Sequence, residues 1–392
     1  MKYVYLIIRL SYNINIGSDS LIYLDYSATT PVDRLVLEDY LEFNKNNFAN
    51  SNSLHKLGKT ALNDLTKTTK SIKELLNLKT HELVYTSGAT EANNLALKGI
   101  ANKNKNKGNH IITTPFEHSS VTTCLNYLAK MGFIIDVVDY DESGKIDLNE
   151  LDDLITEKTI LVSINLVNSE VGILQDLTAI NNILKKYPQV VFHSDMTQAI
   201  GKVKLDFSQA DLISFSAHKI YGFKGIGGLF VRKGLKLTPI IHGGKSASDL
   251  RGGTPPTNLI HSLGKTVELA LTDFNKKLSR IAKTNNYLLT KLKTIDNLIV
   301  NSNEDSIKQI VNFSYPNLVA QEMQDYLSDR DIFVSTTTAC SSDESISKTI
   351  KELTGSYERA VSSIRVSLSH LTTKTEIDAL ILALEELENE SN

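Results

Sequence analysis

Cysteine is scarce in this chain: Cys124 and Cys340 are the only two among 392 residues. Two cysteines cannot build a disulfide framework or an all-protein zinc cluster, and such sparing use suits a reducing cytosol. Charge of one sign is also lacking. A net charge of −3 gives no general attraction to nucleic acid or to a membrane surface. No internal repeat is present. Long apolar runs are missing too, because Val4–Ile8 ends at Arg9, too short for a signal-peptide core or a membrane span. The small-residue turn within Tyr85–Leu95 lacks dinucleotide or Walker spacing. What remains is a 41% hydrophobic chain that can bury a large core, expected as one large and one smaller domain.

From Glu82 onward the pattern alternates. Short apolar strands are expected near 82–86, 110–114, 133–139, 160–167, 190–195, 212–216 and 228–232, with helices such as Ser119–Met131 and Leu177–Lys186 between them. Alternation of this kind predicts an α/β fold with a mainly parallel sheet, helices on both faces and the ligand at the carboxyl ends of the strands. Leu54, Leu57, Ala61, Leu65, Ile72 and Leu76 form a helical stripe read as core packing. A long helix begins near Thr257, and strands near 308–314, 332–336 and 363–368 beyond it suggest a smaller α+β domain. Asn102–Asn109 is a low-complexity basic stretch, read as a solvated turn.

The chemistry concentrates where strands stop. Leu212–Ser216 runs into Ala217-His218-Lys219 and then a glycine-rich turn up to Gly228. A lysine in a partly desolvated pocket loses its proton more easily and can attack carbonyls; the plainer reading is a strand end that reaches water. One strand earlier, Val190–Ser194 ends in Asp195. Pyridoxal 5'-phosphate needs a lysine and an acid that keeps its ring nitrogen protonated, and Lys219 with Asp195 supplies both; alone, Asp195 would read as a helix cap. The third part is Tyr85–Leu95, a strand, a small-residue turn and a helix start, where backbone N–H groups near Ala89 and Thr90 suit a phosphate. Ser216 and His218 could add to that phosphate site, although Thr90 is also a good cap for an ordinary helix.

With these motifs, the chain resembles the cysteine desulfurases of the class V aminotransferase group. The resemblance rests on Tyr23–Pro31, Thr86–Asn94, Glu117-His118, Asn168–Gly172, Asp195–Gln198, Ser216–Gly228, Arg251–Thr254, Ala339-Cys340 and Ser362–Arg365, in the family's order from about residue 22 onward. It implies the fold of the type I pyridoxal-phosphate transferases, with a large cofactor domain over 33–262 and a smaller domain from 21–32 and 263–392. Residues 1–20 match nothing in the family.

The resemblance also implies roles. His118 stacks on the cofactor ring and moves protons, a task suited to imidazole near neutral pH. Gln198 bonds the ring hydroxyl. Thr254 reaches the cofactor phosphate of the opposite subunit, which implies a homodimer. Arg365 holds the carboxylate of the substrate L-cysteine with its planar fork. Strand alternation alone leaves it free to face solvent instead. Cys340 sits in a polar stretch of small residues, and its thiolate takes sulfur from L-cysteine as a persulfide, leaving alanine. Cys124, on a helical stretch, reads as an inert buried thiol. The sulfur then passes to an acceptor protein, an iron–sulfur scaffold or a thiolation enzyme, in the cytoplasm, with no membrane or direct nucleic-acid partner. Other readings are a selenocysteine lyase, an aminotransferase of the same fold, or a non-catalytic paralogue that serves as a binding partner.

Several positions depart from the family's pattern. Ser169 stands where an asparagine touches cofactor and substrate carboxylate, and Met196 where a small alanine lies under the ring. Ser51 and Thr337 replace a proline and a glycine, and Lys245–Asp249 replaces a run with glycine and glutamate.

Overall fold

The computed structural model describes residues 21–244, 247–336 and 346–391. Expectations for residues 1–20, Lys245, Ser246, Thr337 and Cys340 lie outside the described residues. The strands are β1 (Ile22–Tyr23), β2 (His81–Thr86), β3 (His110–Thr113), β4 (Ile134–Val137), β5 (Thr159–Ser163), β6 (Val191–Asp195), β7 (Leu212–Ser216), β8 (Gly227–Arg232), β9 (Ile299–Val300), β10 (Ile310–Ser314), β11 (Ile332–Phe333) and β12 (Ser363–Ser367).

Seven of them form the main sheet, in the order β2-β8-β7-β6-β5-β3-β4. The pairs from β4 through β7 are parallel, whereas β8 runs antiparallel to both β7 and β2. The reversal follows from the sequence: only a turn, and no crossover helix, separates β7 from β8. Strands β3, β5, β6 and β7 are buried at every position, as expected of strands covered on both faces. Gly227 is obligatory at the start of β8, because a Cβ there would come within 2.4 Å of the Phe215 carbonyl and 2.8 Å of the Gly88 Cα. That close approach brings the ends of β7 and β8 against the turn after β2.

The helical stripe is only partly core. Ala61, Leu65, Ile72 and Leu76 are buried, but Leu54 and Leu57 are exposed. The helix begins at Lys56, capped by the His55 side chain, so Leu54 precedes it and Leu57 falls in its first turn. Near the expected boundary at residue 262, the helix Thr257–Leu271 continues without a break, and Ile260, Leu263 and Val267 pack into the core beneath the main sheet. The chain breaks instead at Asp273, in the left-handed region at φ 52°, before the next helix, Phe274–Leu292.

Strands β12, β10 and β9 form a second, antiparallel sheet, and β1 pairs in parallel with β11. A separate core surrounds them, in which Ile22 and Leu24 join apolar residues from Ile281 to Leu384. The segment after β1 therefore crosses from this core to the main sheet. Ser27 and Ala28 reach the turn after β7, and the Thr30 N–H bonds the His218 carbonyl at 2.8 Å. Among the described residues, no helix is long and apolar enough to cross a membrane.

Candidate active site

A cavity of about 400 Å³ opens at the carboxyl ends of β5, β6 and β7, bounded by the start of the helix Ala89–Asn104. Ala89, Thr90, His118, Ser169 and Asp195 line it, as do Gln198, Ser216, His218, Lys219 and Arg365. Twelve site residues were expected, and these ten meet there. Thr254 does not line the cavity and is exposed, while Cys340 lies outside the described residues. Met196, expected under a cofactor ring, is fully buried in the core and does not reach the cavity either. On the extended backbone after β6, alternation turns Asp195 and Met196 to opposite sides.

Lys219 follows β7 in a short helical turn. Its Nζ donates to the carbonyls of Ser27, at 2.5 Å, and Ala28, at 2.8 Å, which hold the side chain at the wall of the cavity. Two residues later Tyr221 sits in the left-handed region at φ 69°, a strained conformation for an aromatic residue. Thr30 Oγ1 accepts from its N–H at 2.7 Å and its carbonyl accepts from the Asp33 N–H at 2.9 Å, so the lysine turn is braced from outside.

Asp195 is 7% exposed, and both its oxygens are engaged: Oδ1 accepts from the Thr197 N–H at 2.9 Å and Oδ2 from Asn93 Nδ2 at 2.7 Å. His118 precedes the helix Ser119–Lys130 and caps it, with Nδ1 accepting from the Ser120 N–H at 3.1 Å. Beside it the Glu117 carboxyl is buried, which raises its pKa well above the carboxylate range; Asn165 N–H and Thr114 Oγ1 donate to Oε1. Burial, helped by the nearby charges of Lys219, Lys224 and Lys202, pulls His218 down to about 4.

The turn from Thr86 to Ala89 opens the helix Ala89–Asn104 at Gly88, with no side chain capping its first N–H groups. An uncapped helix start flanked by the hydroxyls of Thr90 and Ser216 is a site for an anion. Like charges gather at the same site. Lys202 donates to Gln198 Oε1, and burial together with the charges of Lys219 and Arg365 drives its pKa well below the usual lysine value.

Arg365 departs furthest from a plain reading of its strand. It is 1% exposed rather than solvent-facing. Its Nη2 pairs with Asp25 at 2.7 Å and its Nη1 donates to the Ser169 carbonyl at 3.0 Å, while Nε is buried without a partner. A carboxylate ligand would satisfy that unused donor. Sequence reasoning missed Asp25 as its counter-charge, and missed Asn93, Ser120 and Asn165 altogether. Asn93 left one signal, a residue of poor helix propensity early in a helix, where it is wholly buried.

Cys124 is buried, and that burial raises its thiol to about 11, so it is inert as a nucleophile. Among the described residues, no cluster of three or more His, Cys, Asp or Glu side chains is placed to hold a metal.

Comparison with known proteins adds to this geometry. The family model described as aminotransferase class-V matches residues 22–380. A cysteine desulfurase IscS from Buchnera aphidicola subsp. Acyrthosiphon pisum is 40% identical over 365 residues, covering 91% of this chain and 90% of the relative. A structure titled NifS-like protein superposes with a TM-score of 0.88 at 32% identity, covering 94% of this chain and all of that one. A structure titled SspA in complex with cysteine superposes with a TM-score of 0.78 at 31% identity, covering 90% of this chain and 100% of the other.

Proposed function

This chain belongs to the class V aminotransferase family and is a cysteine desulfurase, and from that premise we propose how its own residues share the work. The observation that carries the assignment is the single cavity in which Lys219, Asp195 and His118 meet Arg365. The family consists of pyridoxal-phosphate enzymes, and the residues fit that group: an uncapped helix start for a phosphate, a buried carboxylate for a ring nitrogen, and a lysine in the cavity wall.

When bound, pyridoxal phosphate supplies an electron sink that weakens the bonds around the substrate's α-carbon. Thr90, Ser216 and His218, with the backbone at Ala89, would hold its phosphate at the start of the helix Ala89–Asn104. Asp195 would keep the ring nitrogen protonated, and Gln198, its side chain set by Lys202, would bond the ring hydroxyl. Lys219 is the amine that would hold the cofactor and serve as a base, and His118 would carry protons. Arg365, braced by Asp25 and the Ser169 carbonyl, offers its unused Nε to the carboxylate of L-cysteine, which Ser169 also faces. Cys340 accepts the sulfur as a persulfide, alanine leaves, and the sulfur passes to an acceptor protein for iron–sulfur cluster assembly or thiolation.

Thr254 suits a role in trans. It is exposed and away from the cavity of its own chain, next to a turn that Arg251 ties to Glu91 at 3.0 Å. We read it as reaching the phosphate site of a second copy, in a cytoplasmic homodimer. A large cofactor-binding unit extending to Leu271, and a smaller unit built on the second core, complete the proposal.

The deciding experiment supplies the purified protein with pyridoxal phosphate, L-cysteine and a thiol reductant. Alanine and sulfide should appear in equal amounts, and borohydride should fix the cofactor to Lys219. An adduct mapped to Lys224, or alanine absent, would overturn the assignment.

A further inference from the structure

We propose that Asn93 and Ser120 are positioning residues that decide which nitrogen of His118 carries the ring proton. The proposal rests on the reading of His118 as the proton carrier of this site and adds the device that sets it.

Two groups in this chain of contacts have a fixed direction, the Asp195 carboxylate and the Ser120 backbone N–H. A carboxylate only accepts, so the Asn93 atom 2.7 Å from Asp195 Oδ2 is the donor Nδ2. The second hydrogen of the same Nδ2 goes to Ser120 Oγ at 2.8 Å. With Asn93 donating to it, the Ser120 hydroxyl turns its own proton the other way, toward His118 Nδ1 at 2.9 Å. The Ser120 backbone N–H, which can only donate, also points at Nδ1, at 3.1 Å. Nδ1 therefore meets two donors and must present its lone pair. The neutral ring then carries its proton on Nε2, and His118 lines the cavity.

Burial makes the arrangement rigid. Asn93 is 0% exposed, so water cannot readily replace its two bonds, while Ser120, 9% exposed, stands at the cavity wall beside His118. Asn93 Oδ1 is buried without a partner, and rotating the amide would point that oxygen at Asp195. One amide thus faces the Asp195 carboxylate and, through one hydroxyl, the ring of His118. The carboxylate and the imidazole are set as a pair.

The test is made on the protein labelled with ¹⁵N-histidine and kept free of cofactor. One of its nine histidines is identified as His118 by its loss in His118→Gln. The wild-type neutral ring should show a pyridine-type Nδ1 and a pyrrole-type Nε2. In Asn93→Ala the Ser120 hydroxyl is released, and in Ser120→Ala it is gone; in both, only the Ser120 backbone N–H still holds Nδ1 as an acceptor, so the two nitrogen shifts should move part of the way toward each other as the tautomers begin to mix. Ser120→Thr keeps the hydroxyl and should restore the wild-type pattern. In the loaded enzyme the two alanine variants should lose about 10- to 100-fold in kcat with little change in KM for L-cysteine. Wild-type nitrogen shifts in both alanine variants, or a threonine variant that behaves like alanine, would overturn the proposal. Should the shifts mix as expected while His118→Gln turns over at the wild-type rate, the lock stands and the catalytic reading of His118 falls.

Discussion

The two sides of the cavity are built differently. On one side, Lys219, Asp195 and His118 stand at or just beyond the ends of strands of a single sheet, within about one hundred residues of each other; Asp195 and His118 are tied to Asn93 and Ser120 on that sheet's own helices, and Lys219 alone is held by Ser27 and Ala28 from the segment after β1. On the other side, Arg365 comes from the second sheet and meets Asp25, 340 positions away in sequence, and Ser169, 196 away. Apart from the brace that Ser27 and Ala28 lend to Lys219, the cofactor side is an extension of the sheet, whereas the carboxylate side exists only where two cores touch. The first side should therefore tolerate changes in the second, and damage to the second should appear first in substrate binding.

Breaking the cofactor side gives the largest effect. Lys219→Ala should bring alanine formation below detection, and borohydride should no longer fix the cofactor. His118→Gln should lower kcat by about 10²- to 10⁴-fold. Cys340→Ser should retain cofactor and bind L-cysteine yet form no persulfide, while Cys124→Ser should change little; mass spectrometry of the treated proteins distinguishes the two cysteines. A persulfide carried on Cys124 would contradict the difference between them.

The next effect belongs to the other side. Asp25→Ala leaves Arg365 buried without its counter-charge, which costs on the order of 3–5 kcal/mol in denaturant unfolding. Its KM for L-cysteine should rise while the cofactor spectrum stays that of the wild type. Loss of cofactor together with loss of substrate affinity would show that the two sides are one unit.

Ser169→Asn sharpens the comparison further. The Ser169 carbonyl, which Arg365 uses, survives the change, and the longer amide can reach the substrate carboxylate. A hydrogen bond to a charged group contributes roughly 1.5–3 kcal/mol, so KM should fall about 10- to 100-fold with a smaller effect on kcat. An asparagine variant that binds no better would mean that the pocket is shaped around serine.

The smallest effect is on pH. His193, on β6, is wholly buried between Ser163 Oγ on β5 at 2.8 Å and Ser214 Oγ on β7 at 3.0 Å, and burial lowers it to about 4. The unfolded chain takes up this proton near 6.5 and the folded one resists until about 4, so stability is complete above 6.5 and is lost as pH falls through that window. His193→Asn should flatten this loss by on the order of 1–3 kcal/mol, read from urea unfolding at pH 7 and pH 5. A slope unchanged in the variant would assign the acid sensitivity to other histidines.

Where strands end and which polar residues stand there was legible in the sequence, because a buried parallel strand is a continuous apolar run and a reactive side chain after it is conspicuous. Lys219, Asp195 and the turn before Ala89 were singled out that way, and the resemblance to the family added His118, Gln198, Thr254, Arg365 and Cys340. Periodicity failed at Leu54 and Leu57, since an apolar spacing does not say where a helix begins. Only the tertiary structure decided that Arg365 is buried against Asp25, that Met196 faces the core and not the cavity, and that Asn93 joins Asp195 to Ser120 and so to His118. Arg365 with Asp25 and Asn93 with Asp195 are pairings between residues far apart in the chain. Local pattern records which face a residue turns inward, but the partner waiting there is chosen by how the sheets and helices pack.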